Sequence, residues 1–155
     1  EVGADRVGDA AATFKLSGGP ACVVDFGTAT TFNAISRNGD YLGGAIAPGL
    51  GVAAESLFLN TSQLRRVELV APKSPIGKNT IHAMQAGLVL GYVAMVEGMV
   101  QRFKAELGPD TKVIATGGHS ELIAQETRAF DVVNPDLTLL GLRIIFDLNR
   151  TPEGR

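Results

Sequence analysis

Three β-rich runs follow one another without an intervening helix, and strand-like and helix-like segments then alternate to the end of the chain. That order predicts an α/β fold: a mixed sheet whose first three strands are antiparallel, with helices packed on it. With 155 residues, 45% of them hydrophobic, the chain has enough apolar surface for one compact domain or one large lobe of a bigger protein.

The elements read in order as follows. "GADRVGDAAATFKL" predicts a helix of mostly small residues, ended by "SGGP", and "ACVVD" a buried strand. "TTFNAIS" and "YLGGAIA" flank "RNGD", where Asn38-Gly39 is a strong hairpin signal. "PGLGVAAESLFLNTSQL" predicts a second helix and "APKSPIGKN" an irregular loop. A long helix then runs from a cap at Asn79 to a stop at Gly108–Asp110. Its Gly87 and Gly91 stand one turn apart, which would let another helix approach closely. "KVIA" predicts a strand, "TGG" a turn, "HSELIAQE" a helix, "DVV" a strand and "LLGLRIIFDLNR" a closing amphipathic helix. No fixed-period repeat or low-complexity segment interrupts this pattern.

Composition narrows the function classes. The net charge of -2, with Lys and Arg spread along the chain, offers no basic stripe for nucleic acid. A single cysteine, Cys22, inside an apolar run excludes a disulfide framework or a multi-cysteine metal site and implies a reducing, cytoplasmic setting. Glu1 and Asp5 interrupt any secretory pattern. The apolar run Ala86–Val96 is too short and glycine-rich to span a bilayer, so no membrane partner is expected.

Three motifs carry chemistry. In "VVDFGTATTF" a carboxylate, Asp25, ends an apolar strand, Gly27 permits close backbone approach, and Thr28, Thr30 and Thr31 add hydroxyls. The pattern fits a turn holding a phosphate and a cation, and equally a hairpin with threonines on its solvated face. Thr116-Gly117-Gly118 joins a strand to a helix, where bared N–H groups would favour an anion or a ribose edge; an ordinary strand-to-helix turn has the same form. In "GADR", Asp5 is a candidate general base and Arg6 a guanidinium fork for an anionic group, although the first turn of any surface helix looks alike. "GKNT" lacks the upstream glycine and the ending of a Walker loop, which leaves Thr80 as a hydroxyl at a helix start. His82 and His119 have no metal-ligand spacing to each other.

Taken in order, "GADR", "VVDFGTATTF", "GDYLGGAIAPGL", "IGKNTIHAMQAG", "IATGG" and "LTLLGL" resemble the C-terminal two-thirds of a type III pantothenate kinase, over roughly residues 3–149. The resemblance implies the actin-like, Hsp70 and sugar-kinase superfamily, ribonuclease H-like in its core: a mixed five-stranded sheet with element order β-β-β-α-β-α-β-α and helices on both faces. On that basis residues 1–20 form an interdomain helix carrying the GADR motif, 21–150 the second ATPase-type domain and 151–155 a tail. It also implies ATP-dependent phosphorylation of pantothenate to 4'-phosphopantothenate, the first step of coenzyme A synthesis. By resemblance Asp5 is the proton acceptor, with Gly3, Ala4, Arg6 and Thr80 on pantothenate. Gly27, Thr28, Thr116, Gly117 and Gly118 contact ATP, and Asp25 a monovalent cation, K⁺ or NH₄⁺. Mg²⁺ on the nucleotide and a homodimer are likewise implied.

The family's first domain, with its Asp-x-Gly-Asn-Thr phosphate loop, has no counterpart here, so the chain alone is expected to have little or no kinase activity. Asp9 stands where an amide is expected, Gly8 weakens the first helix by about 1 kcal/mol relative to alanine, and His119-Ser120 is more polar than the small apolar pair expected. Two other functions compete: a non-catalytic accessory factor for transcription, and a kinase of the same superfamily acting on another hydroxy acid.

Overall fold

The computed structural model describes residues 3–150. The elements are α1 (Ala4–Ser17), β1 (Ala21–Phe26), β2 (Ala29–Ile35), β3 (Tyr41–Pro48), α2 (Leu50–Leu59), α3 (Thr80–Gln85), a π-helical turn (Ala86–Leu90), α4 (Gly91–Leu107), β4 (Lys112–Thr116), α5 (Ser120–Ala124), β5 (Val132–Val133) and α6 (Leu137–Asn149). The five strands form one sheet in the order β3-β2-β1-β4-β5. β1, β2 and β3 pair antiparallel, whereas β4 and β5 add in parallel. This is the mixed five-stranded sheet predicted from the sequence, and the tail 151–155 lies outside the described residues.

Alternation along β1 splits the core into two layers. Cys22, Val24 and Phe26 face one side, where Phe32, Leu50, Leu88, Val93, Val96 and Ile123 pack against them. Ala21 and Val23 face the other, against Ala10 and Ala12 of α1 and Leu137 and Ile144 of α6. Because successive strand residues point to opposite faces, a strand buried on both sides reads as the continuous apolar run seen in "ACVVDF".

α1 ends at Gly18 (φ 67), whose N–H caps Phe14 O, and the chain turns straight into β1. The two elements therefore run antiparallel, which returns the first turn of α1 to the C-terminal rim of β1. At the opposite rim the Ser36–Asp40 loop closes the hairpin around Gly39 (φ 90), with Ser36 N–H donating to Asp40 O at 2.8 Å.

Two sequence expectations change. The second helix stops at Leu59 instead of continuing through "NTSQL". Residues 60–79 instead form an irregular strap: Arg66 makes a two-pronged bond to Glu55 and lies over the Phe58 ring, while Leu64, Val67 and Leu69 pack against the core. The long helix runs Thr80–Leu107 as predicted, but with its 28 residues, the apolar run Ala86–Val96 among them, it is long and apolar enough to cross a membrane by length and composition, where that run alone was read as too short. Here Met84, Leu88, Val93, Val96 and Val100 bury one side of it on the sheet. Asn79 caps it as expected, its Oδ1 accepting from His82 N–H at 2.9 Å. A side-chain carbon at Gly87, Gly91 or Gly98 would meet nothing within 4 Å, so within the described chain no helix fills that groove.

Candidate functional site

The C-terminal rim of the sheet gathers three glycine-bearing turns: Gly27-Thr28 after β1, Pro48-Gly49 after β3, and Gly117-Gly118 after β4. In open α/β sheets the crevice outside the carboxyl ends of the strands is where ligands bind.

Asp25 stands at its centre. It pairs in register with Thr31 of β2 on one side and Thr116 of β4 on the other. Gly117 (φ 91) lies against it: a side-chain carbon at 117 would come 2.5 Å from Asp25 Oδ1 and 2.7 Å from both the backbone N and C of Phe26. Only glycine admits this approach. Gly27 is the next neighbour, with a side-chain carbon there 3.8 Å from the same oxygen.

The turns also bind one another. Gly49 N–H donates to Thr28 O at 3.0 Å, and any side chain at 49 would strike the Gly27 and Thr28 carbonyls. His119 N–H donates to Phe26 O at 3.4 Å, and Ser120 Oγ donates to Gly117 O at 2.7 Å. Gly49 and Ser120 were not among the residues singled out for the site. The glycine cluster "PGLG" directly after a strand was the signal for the first; Ser120 had none beyond its place in a turn.

Two expected contacts are occupied within the protein. Gly27 N–H donates to Ala29 O at 3.1 Å, so that donor closes the turn instead of facing a phosphate. Thr116 is fully buried and its Oγ1 donates to Pro135 O at 3.3 Å, in the loop that follows β5. Thr28 and Gly118 are exposed at the rim, with open space around Gly118. Thr30 turns to the other layer, where its Oγ1 and Tyr92 Oη lie 3.3 Å apart. Thr31 accepts from Asn33 Nδ2 at 3.1 Å.

The GADR turn reaches the same rim by topology. Gly3 is the N-cap of α1, and its carbonyl accepts from Arg6 and Val7 N–H at 3.1 and 3.3 Å. Gly3 and Ala4 are exposed and Arg6 half-buried; the side chain of Asp5 lies outside what the structure describes.

Thr80 is not brought to this cluster. It lies twelve residues before Tyr92, about 18 Å back along the helix at 1.5 Å per residue. There it lines a cavity of about 750 Å³ between α2 and the start of the long helix, with Ser56, Lys78, Met84 and Leu88.

Among the described residues no group of three or more His, Cys, Asp or Glu side chains converges. Asp25 offers one carboxylate at this rim, a hard-oxygen donor.

Comparison with known proteins identifies relatives by sequence. The sequence profile of the type III pantothenate kinase family matches residues 1–102. A type III pantothenate kinase of Roseiflexus sp. (strain RS-1) is 56% identical over 97% of this chain and 59% of its own length. Those of Moorella thermoacetica and Myxococcus xanthus are 55% and 53% identical, each over 96% of this chain, and over 59% and 58% of their own lengths. The chain thus spans about three fifths of the length of the curated relatives it matches. In structure it is similar to a Baf family protein from Campylobacter jejuni, with a TM-score of 0.66 at 24% identity, over 96% of this chain and 65% of that one; that likeness concerns the fold. By its sequence, the chain belongs to the type III pantothenate kinase family.

Proposed function

We propose that this chain supplies the phosphate-acceptor and cation half of an ATP-dependent pantothenate kinase. The observation that carries this reading is the convergence, at one rim, of the α1 first turn, the Asp25 carboxylate and three glycine turns. Phosphoryl transfer asks for such positioning and charge neutralisation more than for covalent chemistry.

In this reading Asp5 accepts the proton of the pantothenate hydroxyl as it attacks the γ-phosphorus, and Arg6, with Gly3 and Ala4, orients the substrate. Thr28 and the Gly117-Gly118 turn seat the nucleotide. Asp25 would hold K⁺ or NH₄⁺, which offsets phosphate charge when bound. The cavity beside Thr80 would meet pantothenate only through a neighbouring subunit or further chain. A homodimer is supported by the groove along Gly87, Gly91 and Gly98, which nothing in the described chain fills. A cytoplasmic setting fits the single free, buried cysteine, Cys22.

The test is transfer of phosphate from ATP to pantothenate by the chain completed with the remaining two fifths of the Roseiflexus relative, with Asp5→Asn beside it. Pantothenate-dependent ADP release that falls at least a hundredfold in Asp5→Asn supports the proposal. No turnover by the completed chain with K⁺ and Mg²⁺ present sinks it.

A further inference from the structure

α1 and α6 meet with their backbones in contact. A side-chain carbon at Gly141 would collide with the Gly8 carbonyl, and one at Gly8 would sit 3.5 Å from Thr138 O. Beside this notch Asp9, 1% exposed, accepts at Oδ1 a hydrogen bond from Thr138 Oγ1 at 2.6 Å. The two features do different things. A glycine notch sets how near two helices come, but it has no side chain to resist sliding or rotation about the helix axis. A short directional bond from a buried acid does resist both.

Position matters next. Asp9 follows the Gly3–Arg6 turn by about one turn of α1. Whatever fixes the rotation of α1 at Asp9 fixes the direction of its first turn. Asp25, by contrast, is held by strand pairing on both sides and by Gly117. The rim therefore has one half anchored in the sheet and one half anchored through the α1–α6 contact.

We infer that Asp9 is a positioning residue: through Thr138 it sets the rotation of α1 and so where the Gly3–Arg6 turn stands relative to Asp25. The inference rests on the kinase reading of Asp5 given above. Misplacing a reacting group by about 1 Å can cost on the order of a hundredfold in rate.

Four variants test it in the completed chain. Thr138→Val and Asp9→Ala remove the bond; Thr138→Ser and Asp9→Asn keep a donor and an acceptor. Expected is a fall of at least tenfold in kcat/KM for pantothenate in the first pair, with KM for ATP within twofold and recovery in the second pair. In the 155-residue chain, hydrogen exchange at Val7 N–H, bonded to Gly3 O, should rise at least tenfold in Thr138→Val while β1 amides stay within twofold. Parallel loss toward both substrates, or Thr138→Val behaving as Thr138→Ser in rate and exchange, would overturn the inference. An unmutated completed chain that fails to phosphorylate pantothenate refutes the kinase reading instead, and the exchange experiment then decides the positioning role by itself.

Discussion

Asp25 and Gly117 share one space: the carboxylate oxygen lies 2.5 Å from where the first side-chain carbon of any other residue at 117 would stand. The acid at the end of β1 and the glycine after β4 are 92 positions apart in the chain, and parallel pairing of the two strands brings them together. Mutating either is therefore expected to disturb the same function.

Gly117→Ala should push the Asp25 carboxyl aside and force an L-residue into φ 91, at a cost of about 1–3 kcal/mol in stability. Nucleotide affinity should drop at least tenfold and lose its dependence on K⁺. Isothermal titration calorimetry with ATP, in potassium and in tetramethylammonium buffers, measures both. Unchanged affinity in potassium would mean that the rim does not seat the nucleotide.

Asp25→Asn keeps the size of the side chain and removes the charge. The stabilisation of the folded chain by K⁺ with ATP, read as a shift in Tm, should disappear, while the Tm without ligands changes by only a few degrees. A Tm shift that survives the substitution would place the cation elsewhere.

The glycines of the α1–α6 crossing should respond in opposite directions. Gly8→Ala meets only ordinary contacts, the nearest at 3.5 Å, and gains helix propensity, so it should stabilise by roughly 0.5–1 kcal/mol. Gly141→Ala drives a carbon into the Gly8 backbone and should destabilise by about 1–3 kcal/mol. Urea melts of the two variants settle the signs.

Cys22 is fully buried, and loss of hydration pushes its thiol up to about 12, against an ordinary value of 9.0, with Lys104 pulling weakly the other way. The folded state thus keeps a proton that the unfolded chain releases near pH 9. Its contribution to stability is whole below that pH and declines as pH rises from about 9 toward about 12. Folded protein at pH 8 should resist iodoacetamide, whereas urea-unfolded protein should be alkylated within minutes; equal rates would show that the thiol is accessible.

Much of this was legible in the chain. Period-two and apolar runs placed all five strands, "RNGD" the hairpin, and Asn79 the start of the long helix, because each depends on neighbours within a few residues. The second helix was read too long, since "NTSQLRR" is compatible with a helix and only the Arg66–Glu55 bond and the burial of Leu64 and Val67 favour a strap.

The sequence by itself determined the family, the order of elements and the cluster of chemistry-bearing motifs, because local patterns and ordered motifs need no three-dimensional partner. Tertiary structure decided which motif residues meet. It set Asp25 against Gly117, turned the Thr116 hydroxyl inward to Pro135, left Thr80 along the long helix, and made Gly8 a contact surface for Gly141. These follow from strand order and helix crossing, which join residues far apart in the chain, and a pattern read along the chain does not contain such distances.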